Sequence, residues 1–150
     1  MTQYLSLLVF IGIVALAATT GAMFPTGEWY AGLNRPWWTP PNWLFPVAWT
    51  ILYMMIAIAG WRVWKTDGIG LALAVWGLGL ALNAAWSWIM FGQHEIGWAL
   101  ADLTALWLSI AAFIVLALPI DRTAAYLFVP YLIWVSYAGA LNFAIWQTNP

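Results

Sequence analysis

Five stretches of this chain are long and apolar enough to cross a bilayer as helices, and they leave little of it for anything else. A spanning helix needs about 20 mostly apolar residues. Tyr4–Phe24, Leu44–Trp64, Ile69–Phe91, Gly97–Leu118 and Ala124–Trp146 all meet that length. They are apolar around the whole circumference, unlike the helices of a soluble bundle. Of 150 residues, four are Lys or Arg and five are Asp or Glu, a 6% charged fraction. Soluble domains carry about 25%, so water cannot be the solvent of this surface. The same numbers exclude disorder, and the absence of cysteine excludes a disulfide-stapled domain. A net charge of −1 gives no basic footprint for nucleic acid. The sequence predicts an all-α, multi-pass integral membrane protein: one domain over residues 1–150, a single bundle of five transmembrane helices in contact with lipid.

Three links, Lys65–Gly68, Gly92–Ile96 and Pro119–Thr123, are short, which favours antiparallel neighbours. The remaining connection, residues 25–43, is long. Its sequence Arg35-Pro36-Trp37-Trp38-Thr39-Pro40-Pro41-Asn42-Trp43 favours stiff, extended backbone. Such a strap suits a lid and equally an interfacial anchor. The face carrying the N-terminus holds Arg62, Lys65 and Arg122 and the opposite face Arg35, a bias too small to fix orientation. Small-residue pairs (Ala18/Ala22, Gly77/Ala81, Ser136/Ala140 and Ala140/Ala144) suit close packing within the bundle or a homodimer face. Pro130 lies inside the fifth stretch and predicts a bend there.

Fourteen tryptophans need more than one explanation. Trp61, Trp64, Trp98 and Trp146 fall at span ends, where interfacial anchoring accounts for them. Trp49, Trp76, Trp86, Trp88, Trp107 and Trp134 lie within spans, where an indole N–H facing lipid lacks a partner, so some must point inward. Counting helical rise, Trp49 and Asp102 lie roughly 8 Å below the long-loop face and Asn83 roughly 12 Å below it. Trp134 is near the midplane, with Ala138 and Asn142 toward the same face. The long loop, with Tyr30 and Arg35, closes that side. One half of the bundle thus gathers the polar and aromatic oddities, which suggests a cavity lidded by the loop; scattered packing is the alternative. Asp102, the one acid well inside a span, is a structural or proton-handling candidate, with Arg35 its nearest candidate partner and a tryptophan N–H the next. His94 stands alone in a link beside Glu95, so no metal site is indicated and no cofactor is required.

Several motifs resemble the TspO/MBR family of tryptophan-rich sensory and translocator proteins, in its bacterial form. Trp29-Tyr30-Ala31-Gly32-Leu33 and Pro36-x-Trp38-x-Pro40-Pro41 resemble its first loop. Ala81-Leu82-Asn83-x-x-Trp86 with Phe91-Gly92, Gly97-Trp98-Ala99-Leu100-x-Asp102, and Pro130-Tyr131-Leu132-x-Trp134 with Leu141-Asn142 and Trp146 resemble its later helices. The resemblance implies a membrane receptor, often dimeric, with Tyr30, Trp49, Asn83, Trp134, Ala138 and Asn142 lining a pocket for tetrapyrroles (protoporphyrin IX, heme), sterols or benzodiazepine-type ligands. It also implies an alternative, light- and oxygen-dependent porphyrin breakdown using Trp49 and Trp134. Porphyrin transport is a third reading, for which no inverted repeat is visible. The sterol motif of the animal proteins is not matched, since Leu141–Gln147 holds neither its tyrosine nor its basic residue. The family is usually drawn with the loop toward the cytosol, opposite to the charge bias.

Overall fold

A computed structural model describes residues 2–149. It contains α1 (Thr2–Met23), α2 (Gly27–Ala31), α3 (Leu44–Asp67), α4 (Leu71–Ser87), a π-helical turn (Trp88–Gly92), α5 (Ile96–Ala117), α6 (Arg122–Leu127) and α7 (Val129–Thr148). Five segments are long and apolar enough to cross a membrane: α1, α3, α4 with its π turn, α5, and α6 with α7.

The helix ends follow hydrogen bonding rather than hydropathy. α3 runs past Trp64 through the polar Lys65, Thr66 and Asp67 until Gly68 adopts a φ of 70° and its N–H closes on the Trp64 carbonyl at 2.8 Å. The fifth span is broken where Pro130 would have donated back to Tyr126. Phe128 instead donates to the Ala125 carbonyl at 3.1 Å, and the ladder resumes when Leu132 donates to Phe128 at 2.9 Å. α4 widens into the π turn, which sets Met90 in the core and brings Phe91 edge-on to Trp86 and Tyr30.

Antiparallel packing holds for α1 with α3, α4 with α5 and α5 with α7. The short α3–α4 link does not make those two helices the closest neighbours: α1 packs against both of them more extensively than they pack on each other. The first span therefore lies between the second and the third, and α3 closes the ring against α6. Where α3 and α4 do meet, Gly60 lets the Trp76 indole lie against the helix backbone, and the Trp76 N–H donates to the Ile56 carbonyl at 2.9 Å. Other indoles inside the spans also find acceptors. Trp107 donates to Ser136 at 2.8 Å and Trp86 to Asn142 at 3.0 Å. Trp61, placed by sequence among the interfacial anchors, is instead buried and donates to Ser6 at 2.9 Å, because α1 covers that face of α3.

At the end of the bundle away from the loop, Asp121 caps α6 by accepting from the Ala124 N–H at 2.9 Å and forms an ion pair with Arg62 at 3.0 Å. Burial raises the Asp121 carboxyl, but the hydrogen bonds from Arg62 and the Ala124 amide outweigh it and hold the group below its ordinary range. A depressed carboxylate contributes stability that is fully present above its unfolded pKa of about 3.9 and is lost as pH falls through the lower folded value. The Asp121 contribution to stability in detergent is thus expected to hold constant from neutral pH to about pH 5 and to decline below it, so the difference between wild type and Asp121→Asn should narrow at low pH. Asp121→Ala is expected to cost about 1 kcal/mol at pH 7, mostly the lost cap.

Candidate functional site

A cavity of about 480 Å³ opens in the half of the bundle nearest the long loop. Phe45, Trp49 and Tyr53 of α3 form one wall, each at helical spacing of four residues from the next. Asn83 and Trp86 of α4 and Phe91 of the π turn form the second. The small Ala18, Gly21 and Ala22 of α1 form the third, and their lack of bulk keeps the space open. Leu103 and Leu106 of α5 supply the floor, while Pro25, Thr26 and Asn42 bring the two ends of the loop to the rim.

The polar groups at depth are tied together. The Tyr53 hydroxyl donates to the Asn83 side-chain oxygen at 3.2 Å, and the Asn83 amide donates to the Tyr131 hydroxyl at 2.7 Å. Three helices are joined through one amide, and both ends of Asn83 are engaged. Trp49 stacks on Tyr53 at 5.5 Å and meets Trp134 edge-on at 6.3 Å. The cavity is therefore aromatic along its sides and weakly polar at its base, a surface suited to a flat apolar molecule.

Of the residues singled out from sequence, Trp49 and Asn83 line this cavity. Trp134 lies one ring behind Trp49, and Ala138 packs with it against the main core. Tyr30 is 2% exposed, packed edge-on against Phe91 at 5.6 Å under the loop. Asn142 is also 2% exposed and works as a clamp: it accepts from Trp86 and donates to the Ile96 carbonyl at 3.1 Å. The Arg35–Asp102 pairing suggested by their shared side is not formed. Arg35 sits over the Tyr30 ring at 4.8 Å, because the loop carries it toward α2, and Asp102 keeps a buried oxygen without a hydrogen-bond partner. Burial holds the Tyr30 phenol above its ordinary pKa, with the adjacent Arg35 charge pulling it down. Phe45, Phe91 and the α1 edge were not anticipated. The sequence signals were the Ala18/Ala22 pair, which reads as helix packing, and the Phe91-Gly92 motif, which carried no placement.

The loop is held at both ends. Trp29 stacks flat on His94 at 4.1 Å, which joins α2 to the α4–α5 link. At the other end the backbone of Asn34 is gripped by the C-terminus of α7. Its N–H donates to the Asn149 side chain at 3.0 Å, and its carbonyl accepts from Thr148 at 3.1 Å and Asn149 at 2.9 Å. The Tyr137 hydroxyl also donates to the Trp38 carbonyl. The three bonds to the Asn34 backbone are exposed, each worth about 0.5–1 kcal/mol. Thr148→Val with Asn149→Ala is expected to raise amide hydrogen exchange in the segment around Asn34 and Trp38 by about tenfold. Exchange within the spans should not change. An unaltered loop would show that the clasp does not hold it.

A sequence model described as the TspO/MBR family matches residues 7–147. Similar proteins include "Protein CrtK" of Rhodobacter capsulatus, 44% identical over 95% of this chain and 91% of that protein. The "Tryptophan-rich sensory protein" of Cereibacter sphaeroides is 43% identical over 95% of this chain and 90% of its own length. The human "Translocator protein" is 38% identical over 90% of this chain and 85% of its own.

Proposed function

The chain belongs to the TspO/MBR family, and from that premise we propose that it is a membrane receptor whose cavity binds a flat tetrapyrrole, protoporphyrin IX or heme. A multi-pass integral membrane protein of bacterial type with a sensor's ancestry takes its ligand from the lipid phase or the interface. The observation that supports the tetrapyrrole is the aromatic cavity itself. Trp49 and Trp86 offer indole rings on two facing helices, with Phe45 and Phe91 at the rim side. A macrocycle would stack on these faces and displace little ordered polar structure. A homodimer is part of the same reading: Gly77 meets nothing within 4 Å of an added Cβ, and Ala81 beside it is exposed, so this small-residue pair is not used inside the bundle.

Titration of the detergent-purified protein with protoporphyrin IX, followed by quenching of tryptophan fluorescence, tests the receptor. Trp49→Leu is expected to weaken binding about tenfold through lost stacking. Trp134→Phe and Ala138→Phe, which act from behind Trp49, are expected to weaken it less. Equal affinity for wild type and Trp49→Leu would overturn this placement of the ligand.

The second reading, light- and oxygen-dependent porphyrin breakdown, draws on the edge-to-face contact of Trp49 with Trp134 at 6.3 Å. Two indoles in contact could share an oxidising equivalent. Bleaching of bound protoporphyrin under illumination, lost in Trp49→Phe, supports that reading; bleaching equal to that in detergent alone removes it.

A further inference from the structure

Arg35 is the only Lys or Arg on the loop side of the bundle. No carboxylate neutralises it: among the described residues the one ion pair joins Arg62 to Asp121 at the other end. Its guanidinium lies over the Tyr30 ring at 4.8 Å, a contact that leaves N–H donors free at the edge of the cation. Arg35 also lines a second, open pocket of about 460 Å³ within the strap, together with Pro36, Thr39, Pro40, Pro41 and Asn42. This pocket shares only Asn42 with the aromatic cavity. Its walls are stiff. The Pro36 carbonyl accepts from the Thr39 amide at 3.1 Å and the Thr39 hydroxyl at 2.7 Å, and the Pro41 carbonyl accepts from the Leu44 N–H at 3.0 Å. The α7 clasp on Asn34 fixes the residue next to Arg35. Trp37 and Trp43, on either side of the pocket in sequence, are 94% and 66% exposed. Two bare indoles are unfavourable in water but suit the headgroup layer, where ring and N–H are both served.

We propose that this pocket seats the phosphodiester of an anionic phospholipid, with Trp37 and Trp43 setting the strap at headgroup depth. The guanidinium fork matches two phosphate oxygens, and the Asn42 amide supplies a further donor. The three prolines have no N–H to give, so recognition falls to these two side chains. No acidic residue lines the pocket, and the ammonium of a zwitterionic headgroup finds no partner there. The seat therefore selects a lipid of net negative charge. A free phosphate presents the same oxygens but brings no acyl chains to lie against the indoles, which makes the lipid the occupant. A lipid held in this way ties the strap to the bilayer surface. The proposal does not depend on the tetrapyrrole reading, because the aromatic rings of the cavity take no part in it.

Native mass spectrometry of the full chain in detergent, titrated with phosphatidylglycerol, phosphatidylcholine or inorganic phosphate, tests the seat. The first phosphatidylglycerol is expected to bind about tenfold more tightly than the first phosphatidylcholine. Arg35→Gln is expected to remove that preference. Lys65→Gln and Arg122→Gln, at the opposite end of the bundle, should keep it. Excess inorganic phosphate should leave the lipid adduct in place. Equal affinity of the wild type for the two lipids overturns the proposal without any variant. So does a preference that survives in folded Arg35→Gln, or one lost in Lys65→Gln or Arg122→Gln. Displacement by inorganic phosphate overturns the lipid as occupant. Should Arg35→Gln fail to fold, Arg35→Lys keeps the charge without the fork, and its preference is expected to fall about threefold. An undiminished preference in that variant overturns the seat.

Discussion

Gly60→Ala is expected to destabilise the protein by about 3 kcal/mol, although it adds one methyl group to a helix that should welcome it. A Cβ at Gly60 would fall on the Trp76 indole. Trp76 is 6% exposed, its N–H is committed to the Ile56 carbonyl, and its ring packs against Phe10 at 5.3 Å. It has nowhere to move without losing that bond or displacing α1, so three spans are disturbed by one atom. The loss should appear as a fall of roughly 10 °C in the unfolding temperature in detergent. Gly12→Ala, on α1 and away from the small-residue pair assigned to the homodimer, is the control. A Cβ there meets nothing within 4 Å, and helix propensity alone predicts a neutral or slightly stabilised protein. Gly60→Ala combined with Trp76→Leu should recover much of the loss. If Gly60→Ala proves as stable as Gly12→Ala, the close approach of α3 to the indole is wrong.

Asn142→Leu is expected to cost about 2 kcal/mol while keeping nearly the same volume. The side chain bonds Trp86 on α4 and Ile96 at the start of α5 from its position on α7. Leucine leaves the part-buried Trp86 N–H without its acceptor and the Ile96 carbonyl without its donor. Because Trp86 lines the cavity, ligand affinity should fall too, through a ring that has lost its anchor. Pairing Asn142→Leu with Trp86→Phe separates the two roles. A clamp predicts that the double variant recovers about 1 kcal/mol relative to additivity. Purely additive losses would assign Asn142 to something other than holding Trp86.

These two positions show how unevenly the sequence could be read. Depth along a helix is a property of sequence, so Trp49 and Asn83 could be placed in the loop-side half before any contact was known. Depth does not say which way a side chain faces. Asn142 shares its level with the cavity but turns to Trp86 and Ile96, and Trp134 lies one ring behind the wall. Phe45 gave no signal, because one more phenylalanine in an apolar chain is indistinguishable from packing, and Phe91 stood out only as part of a family motif. Trp61 was assigned to the interface because it lies at a span end; only the position of α1 shows that it is covered.

The sequence by itself determined the solvent of this protein and the number of its spans. A bilayer tolerates only segments that satisfy their own backbone, and twenty apolar residues in a row have one way to do so. The family motifs in the first loop and later spans were equally local. What only the tertiary structure decided was the order of helices around the ring. Lipid is as apolar as leucine, so the bilayer gives an apolar helix no preferred neighbour. Side-chain fit and a few hydrogen bonds make that choice. They place α1 between α3 and α4 and open the cavity on its small residues.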